Sequence, residues 1–244
     1  MASTSETGHA VNFNNFNTLI ARCTGYGILY NPSNNLIKLP ALNATSTNAG
    51  AAFQQITLTK PPWDTNINIR QQWFSDMSQL AGRVVNAFDA CENITDLQVE
   101  DAKVFLRKIR GERKSKKILN PNPDDPQQIS VSQLSFANQL MHFAGLVGFV
   151  TSTPDYVPNE TELQPPNLTV FLGQLNTVNQ NVTTTVQPYL DALGARNLIL
   201  YGDKTGIYDL QKEVKKYVKS VQAITLEQFR QISGLRFRKP PKTK

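Results

Sequence analysis

The chain is poor in the residues that most chemistry needs. Its 244 residues include two histidines, two cysteines, two tryptophans and three methionines. Histidine is the usual general base and metal ligand, and only His9 and His142 could serve. No His-x-x-x-His, Cys-x-x-Cys, Gly-x-Ser-x-Gly or metal-spaced carboxylate cluster occurs, which removes the familiar zinc and nucleophile-elbow signatures. His9 lies near the N-terminus, and His142, beside Phe143 in a stretch apolar almost all round, reads as a polar position on a core helix. The expectation is no catalytic residue, no cofactor and no metal, hence not an enzyme.

Long apolar runs are missing too. The longest candidate, LMHFAGLVGFV (140–150), falls well short of the ~18 residues of a membrane span and reads as a buried helix. The opening MASTSETGHAVNFNNFN has neither the basic nor the apolar region of a secretory signal. Cys23 and Cys91 sit in separate apolar-periodic segments and read as reduced core thiols. A cytoplasmic protein without membrane contact is expected. The five Asn-x-Ser/Thr triplets, from Asn43, Asn93, Asn159, Asn167 and Asn181, are then chance products of an Asn/Thr-rich chain.

What is present is helical period. Leu42, Ala49 and Ile56 recur every seven residues, with Ser46 and Phe53 between them. Trp73, Leu80 and Ala87 do the same with Met77, Val84 and Cys91. Leu168, Leu175, Val182 and Tyr189 repeat with Phe171, Val178, Thr185 and Ala192. Each set draws one apolar stripe along a long helix. The first long helix is expected to end at KPP (60–62), because proline cannot continue the ladder.

The segments also repeat. YNPSNNLIKLPAL (30–42) and YVPNETELQPPNL (156–168) share Tyr30/Tyr156 and Pro32/Pro158 at an offset of 126. FNNFNTLIA (13–21) matches LMHFAGLVG (140–148) at 127, and ITDLQ (94–98) matches ITLEQ (224–228) at 130. The last pair is a capping box, Thr followed three residues later by Gln; Ser130 to Gln133 is another. KIRG ends one copy at Gly111 and QISG the other at Gly234. The reading is an all-α protein of two related helical repeats, with long antiparallel helices forming a bundle. Repeat 1 covers 1–111, a basic then Pro-rich linker 112–129, repeat 2 130–234 and a basic tail 235–244. Tyr30, Pro32, Tyr156 and Pro158 mark repeat corners: tyrosine anchors the loop, proline stiffens it, and Pro40 and Pro165 or Pro166 launch the next helix.

Charge comes in blocks. Residues 1–102 carry 5 basic and 8 acidic groups, 103–117 carry 8 and 1, 118–202 carry 1 and 6, and 203–244 carry 11 and 4. The candidate binding surface is therefore Arg107, Lys108, Arg110, Arg113, Lys114, Lys116 and Lys117, with Arg236, Arg238 and Lys239 of the tail. Such cations could track phosphates or an acidic protein. However, Phe105 is the only ring near the first run, where a single-strand binder interleaves aromatics; a solvated linker is the plainer reading. GDKTG (202–206) lacks the Gly-x-x-x-x-Gly-Lys-Ser/Thr spacing of a phosphate loop and reads as a turn between helices. Glu100 and Asp101 are adjacent, so they do not face each other on a helix; they suit the first turn after Thr95.

NTLIARCTGYGILYNPSN (17–34), LYGDKTGIYDLQKEVKKYVKSV (200–221) and QISGLRF (231–237) together resemble a bacterial family of all-helical proteins of uncharacterised activity. Its pattern is Tyr-Asn-Pro-Ser-Asn near the start, with Val-Lys-x-Tyr-Val-Lys-Ser-Val and Ser-Gly-Leu-x-Phe near the end. The resemblance implies a bacterial, all-helical protein and no site residue. Leu39-Pro40 departs from that pattern, where a cap and alanine are expected. Scarce catalytic residues, duplication and alternating charge lead to a non-catalytic structural protein that associates with copies of itself. The alternative is an accessory protein that binds nucleic acid or an acidic partner through 103–117 and the tail.

Overall fold

A computed structural model describes residues 8–112 and 134–239. It is all-α, with no strand among the described residues. The helices are α1 (His9–Gly25), α2 (Leu39–Asp89), α3 (Asp96–Arg110), α4 (Phe136–Thr151), α5 (Pro165–Tyr201), α6 (Ile207–Ser220) and α7 (Leu226–Ser233). Single 3-10 turns lie at Gly27–Leu29, Asn35–Ile37 and Thr161–Leu163. Ser130, Gln133 and residues 113–129 of the expected linker fall outside the described residues.

Two compact units form, and they do not follow the contiguous repeats. Unit 1 gathers described residues 8–62 and 186–239; unit 2 gathers 63–112 and 134–185. Each has its own core. In unit 1, Phe16, Leu19 and Cys23 of α1 meet Leu42 and Ala49 of α2, Ile207, Val214 and Val218 of α6, and Ile232 of α7. In unit 2, Met77, Val84 and Phe88 of α2 meet Ala102 and Ile109 of α3, Phe143 and Val150 of α4, and Leu168 and Leu175 of α5. Within unit 2, α2 and α5 run antiparallel: Asn66 Nδ2 donates to Thr185 Oγ1, Arg70 Nη1 to Asn179 Oδ1, and Trp73 stacks on Phe171. Each unit thus combines the opening of one expected repeat with the close of the other.

The two corners have the same build. Tyr30 Oη donates to the Ile37 carbonyl at 2.7 Å, and Tyr156 Oη to the Leu163 carbonyl at 2.8 Å, a seven-residue span in both. The 3-10 turns are entered through Asn34 (φ −72, ψ 116) and Glu160 (φ −69, ψ 116). They are left through Lys38 (φ −65, ψ 146) and Gln164 (φ −68, ψ 140). Helix α2 then starts Leu39-Pro40 and α5 starts Pro165-Pro166. A first-turn proline costs no hydrogen bond, because the first amides of a helix have no partner within it. Upstream, Phe16/Phe143, Leu19/Leu146 and Cys23/Val150 are all fully buried at offset 127.

The offset changes at one place. Phe74 and Leu200 are buried equivalents at 126; Met77/Ile207, Val84/Val214 and Phe88/Val218 are buried equivalents at 130. On the expected duplication, continuous α2 would correspond to α5 plus α6, with the extra four residues taken up at 202–206. Both capping boxes form: Thr95 with Gln98 on α3, Thr225 with Gln228 on α7. The closing glycines differ. Gly111 is left-handed (φ 67) and Gly234 right-handed (φ −67), so KIRG and QISG share letters but not backbone.

The expected stop at 60–62 is corrected. Helix α2 continues through Pro61 and Pro62, both exposed. The carbonyls of Thr57 and Leu58 lose their amide partners there, and both residues are solvent-exposed, so water can take that place. Pro188, likewise exposed, stands in α5 at offset 126 from Pro62.

Replacing Tyr30 or Tyr156 with Phe should lower unfolding free energy by about 1–2 kcal/mol each, by stranding a buried carbonyl. Matched losses in urea denaturation are expected; unchanged midpoints would show that neither bond matters.

Candidate functional site

The first basic segment is divided by the structure. Arg107, Lys108 and Arg110 occupy the last turn of α3, where cations complement the helix dipole. Gly111 ends the helix, and Glu112 N–H donates back to the Arg107 carbonyl at 2.8 Å. Arg107 reaches Glu100 at 3.8 Å, Arg110 lies over Gly82, and Lys108 is exposed. Arg113, Lys114, Lys116 and Lys117 lie outside the described residues.

The second segment belongs to unit 1 and is a docked strap rather than a loose tail. Asn12, buried on α1, clasps the backbone of Arg238 from both sides: Nδ2 donates to its carbonyl at 2.8 Å and Oδ1 accepts from its N–H at 3.0 Å. Asn15 Nδ2 donates to the Arg236 carbonyl at 2.8 Å. Lys215 Nζ donates to the Leu235 carbonyl at 2.6 Å and lies over the Phe237 ring; burial lowers its pKa. Lys239 lies 5.0 Å from the Tyr208 ring centroid. The backbone is held while Arg236, Arg238 and Lys239 stay exposed. The sequence reading missed Asn12 and Asn15; nothing in NFNN (12–15) points to partners more than two hundred residues away. Gln139, at offset 127 from Asn12, donates its amide to the Ile109 carbonyl in unit 2 at 3.0 Å.

Both histidines lie on helices, His9 on α1 and His142 on α4. His9 opens α1 with Nδ1 2.9 Å from Tyr201 Oη, and Asn12 Nδ2 donates to the same oxygen. Burial, then the charge of Arg196, lowers the His9 pKa. His142 is buried on α4, and burial, then Lys108, lowers its pKa. Among the described residues no group of three or more His, Cys, Asp or Glu could hold a metal. GDKTG is a turn: Gly202 and Gly206 approach so closely that a Cβ on Gly206 would meet the Gly202 nitrogen at 2.6 Å. Lys204 there has φ 61, and its N–H donates to Asp209 Oδ2.

Two surface clefts of about 840 and 860 Å³ flank the Tyr156 corner in unit 2. Arg83 and Glu160 line both, and Arg83 is paired with Glu162. The first cleft has Ala87, Ala90, Val157 and Leu163 on its apolar side and Glu92, Asp155 and Glu160 among its polar groups. Cys91 lines it half-buried, its Sγ 3.2 Å from the Ala87 carbonyl. Sequence reading found this corner but not the cleft, which brings residues from 83–93 together with residues from 154–163.

No family model, curated protein or solved structure matches the chain.

Burial raises Cys23 from 9.0 to about 12 and Tyr156 from 10.0 to about 12, and pushes Tyr30 up as well. The unfolded chain ionises first, so this stability is intact below pH 9 and is lost as pH rises through 9.0 to about 12. Helical circular dichroism followed in an alkaline titration should show that loss. In native protein, iodoacetamide should label Cys91 well before Cys23; equal rates would contradict the burial of Cys23.

Proposed function

We propose that the chain is a duplicated, non-catalytic structural protein that associates with copies of itself through surfaces of opposite charge. One observation carries the reading: the two similarly built units differ in sign. Described residues of unit 1 carry 13 Lys and Arg against 5 Asp and Glu; those of unit 2 carry 6 against 11. Residues 113–133 add four basic and two acidic groups, which does not reverse the second balance. Matched scaffolds with opposite surfaces favour contact between unit 1 of one copy and unit 2 of the next. Such a heterologous contact builds rings or filaments. The paired Tyr corners, the paired capping boxes and the shared burial pattern support duplication as the origin of the matched scaffolds.

The docked strap favours a second reading. With its backbone fixed, Arg236, Arg238 and Lys239 are presented to solvent at low entropic cost for binding an acidic protein or nucleic acid. On that reading, replacing all three with Gln weakens binding to a labelled oligonucleotide or polyglutamate and flattens its salt slope.

Light scattering over a salt and concentration series tests the first reading. Masses above that of one chain at low salt, falling as salt screens the charges, are expected. A monomer under every condition would rule out self-association.

A further inference from the structure

Large apolar side chains remain on the surface of both units, and one of them stands out. Ile28 is 95% exposed, the highest value among large apolar side chains of the described residues. It sits in the 3-10 turn Gly27–Leu29, which Gly27 enters with φ 54. That turn is not loose. Tyr26 Oη donates to the Gln228 carbonyl at 2.9 Å, and Asn31 N–H donates to Tyr217 Oη at 2.9 Å. Tyr26 thereby joins the corner to the first turn of α7, where Leu226 is also exposed. Unit 1 therefore holds an isoleucine rigidly in water, with Lys38 and Arg22 exposed on the flanking segments.

In unit 2, Pro154 and Asp155 stand at offsets of 126 and 127 from Ile28, and both line the cleft of about 840 Å³. The matched corners are thus complementary where they face solvent. One presents a fixed apolar tip in a basic unit; the other presents a cleft with Ala87, Ala90 and Val157 beside Glu92, Asp155 and Glu160 in an acidic unit. The cleft is in the size range of sites that enclose small ligands and has room for a branched side chain with part of its turn. Binding would remove Ile28 from water and cover the exposed Val157. The acidic groups would face the basic unit that carries the tip.

Resting on the self-association reading, we infer that the Ile28 corner of one copy docks into the Tyr156 corner cleft of a second copy. The occupant is another molecule of this chain, and the contact is head to tail. Each molecule therefore uses its tip once and its cleft once.

The test exploits that asymmetry. Ile28→Glu abolishes the tip and leaves the cleft intact; Asp155→Lys with Glu160→Lys reverses the cleft charge and leaves the tip intact. Each variant alone should be monomeric by light scattering, with association weakened roughly tenfold or more, as for a central apolar anchor. An equimolar mixture should form a dimer and stop there, since one working tip and one working cleft remain. Unchanged far-ultraviolet circular dichroism checks folding, and Ile28→Ser serves if Ile28→Glu does not fold. If wild type associates and the variants do so equally well, this docking is wrong and self-association stands. If the variants are monomeric but their mixture gives no dimer, the contact is not tip to cleft. If wild type itself is monomeric, both inferences fall.

Discussion

The stripe along a long helix has to be covered over its whole length, and the rest of the architecture follows from that. Helix α2 runs for 51 residues and α5 for 37, while α1, α3, α4, α6 and α7 have at most 17. No short helix can bury such a stripe alone. The solution is two separate cores: Leu42 and Ala49 of α2 are covered in unit 1, and Met77, Val84 and Phe88 in unit 2. Stripe burial supplies most of the stability of such helices, so the covering helices must come from wherever the chain can deliver them. Here each unit takes them from both halves of the sequence.

Much of this was legible in the sequence, and the failures are instructive. Seven-residue recurrence located both long helices, because periodicity reports the buried face directly. The Tyr-x-Pro phrase located both corners, because a buried tyrosine hydroxyl must find an acceptor and proline fixes the approach. The stop at Pro61-Pro62 was misread: a local rule about proline lost to tertiary burial on both sides of an exposed, hydrated stretch. The compact units were also not legible. Offsets of 126 to 130 show that two segments are alike, but they say nothing about which half packs with which. Gly111 and Gly234 add a smaller lesson, since the same letter at the end of a helix can be left-handed or right-handed.

Of the candidate surface, the charges were legible and their setting was not. Arg107, Lys108 and Arg110 read as part of a basic run, yet in the fold they finish a helix. Arg236, Arg238 and Lys239 read as part of a basic tail, and in the fold the backbone beneath them is clasped by Asn12 and Asn15. Amides on a helix surface carry no period, and their partners lie more than two hundred residues away, so no local pattern announces them. The opposite signs of the two units could be seen only after the chain was divided as the fold divides it. In chain order the acidic residues of 63–101 follow Arg22, Lys38 and Lys60 of unit 1, so no contiguous block separates the two signs.

The sequence of unit 2 interrupts that of unit 1, and this has a consequence for synthesis. Unit 2 is interior to the sequence and has all its residues once Thr185 has left the ribosome. Unit 1 is discontinuous: α1 and the first half of α2 are made first, but their partners α6, α7 and the strap to Arg238 are made last. Translation therefore completes the acidic half of the molecule before the basic half, and the earliest helix waits for nearly the whole chain. Cys23, Phe16 and Leu19, fully buried at the end, stay without their final cover through most of that interval. The buried face of α1 thus waits for α6 and α7, which come last among the helices.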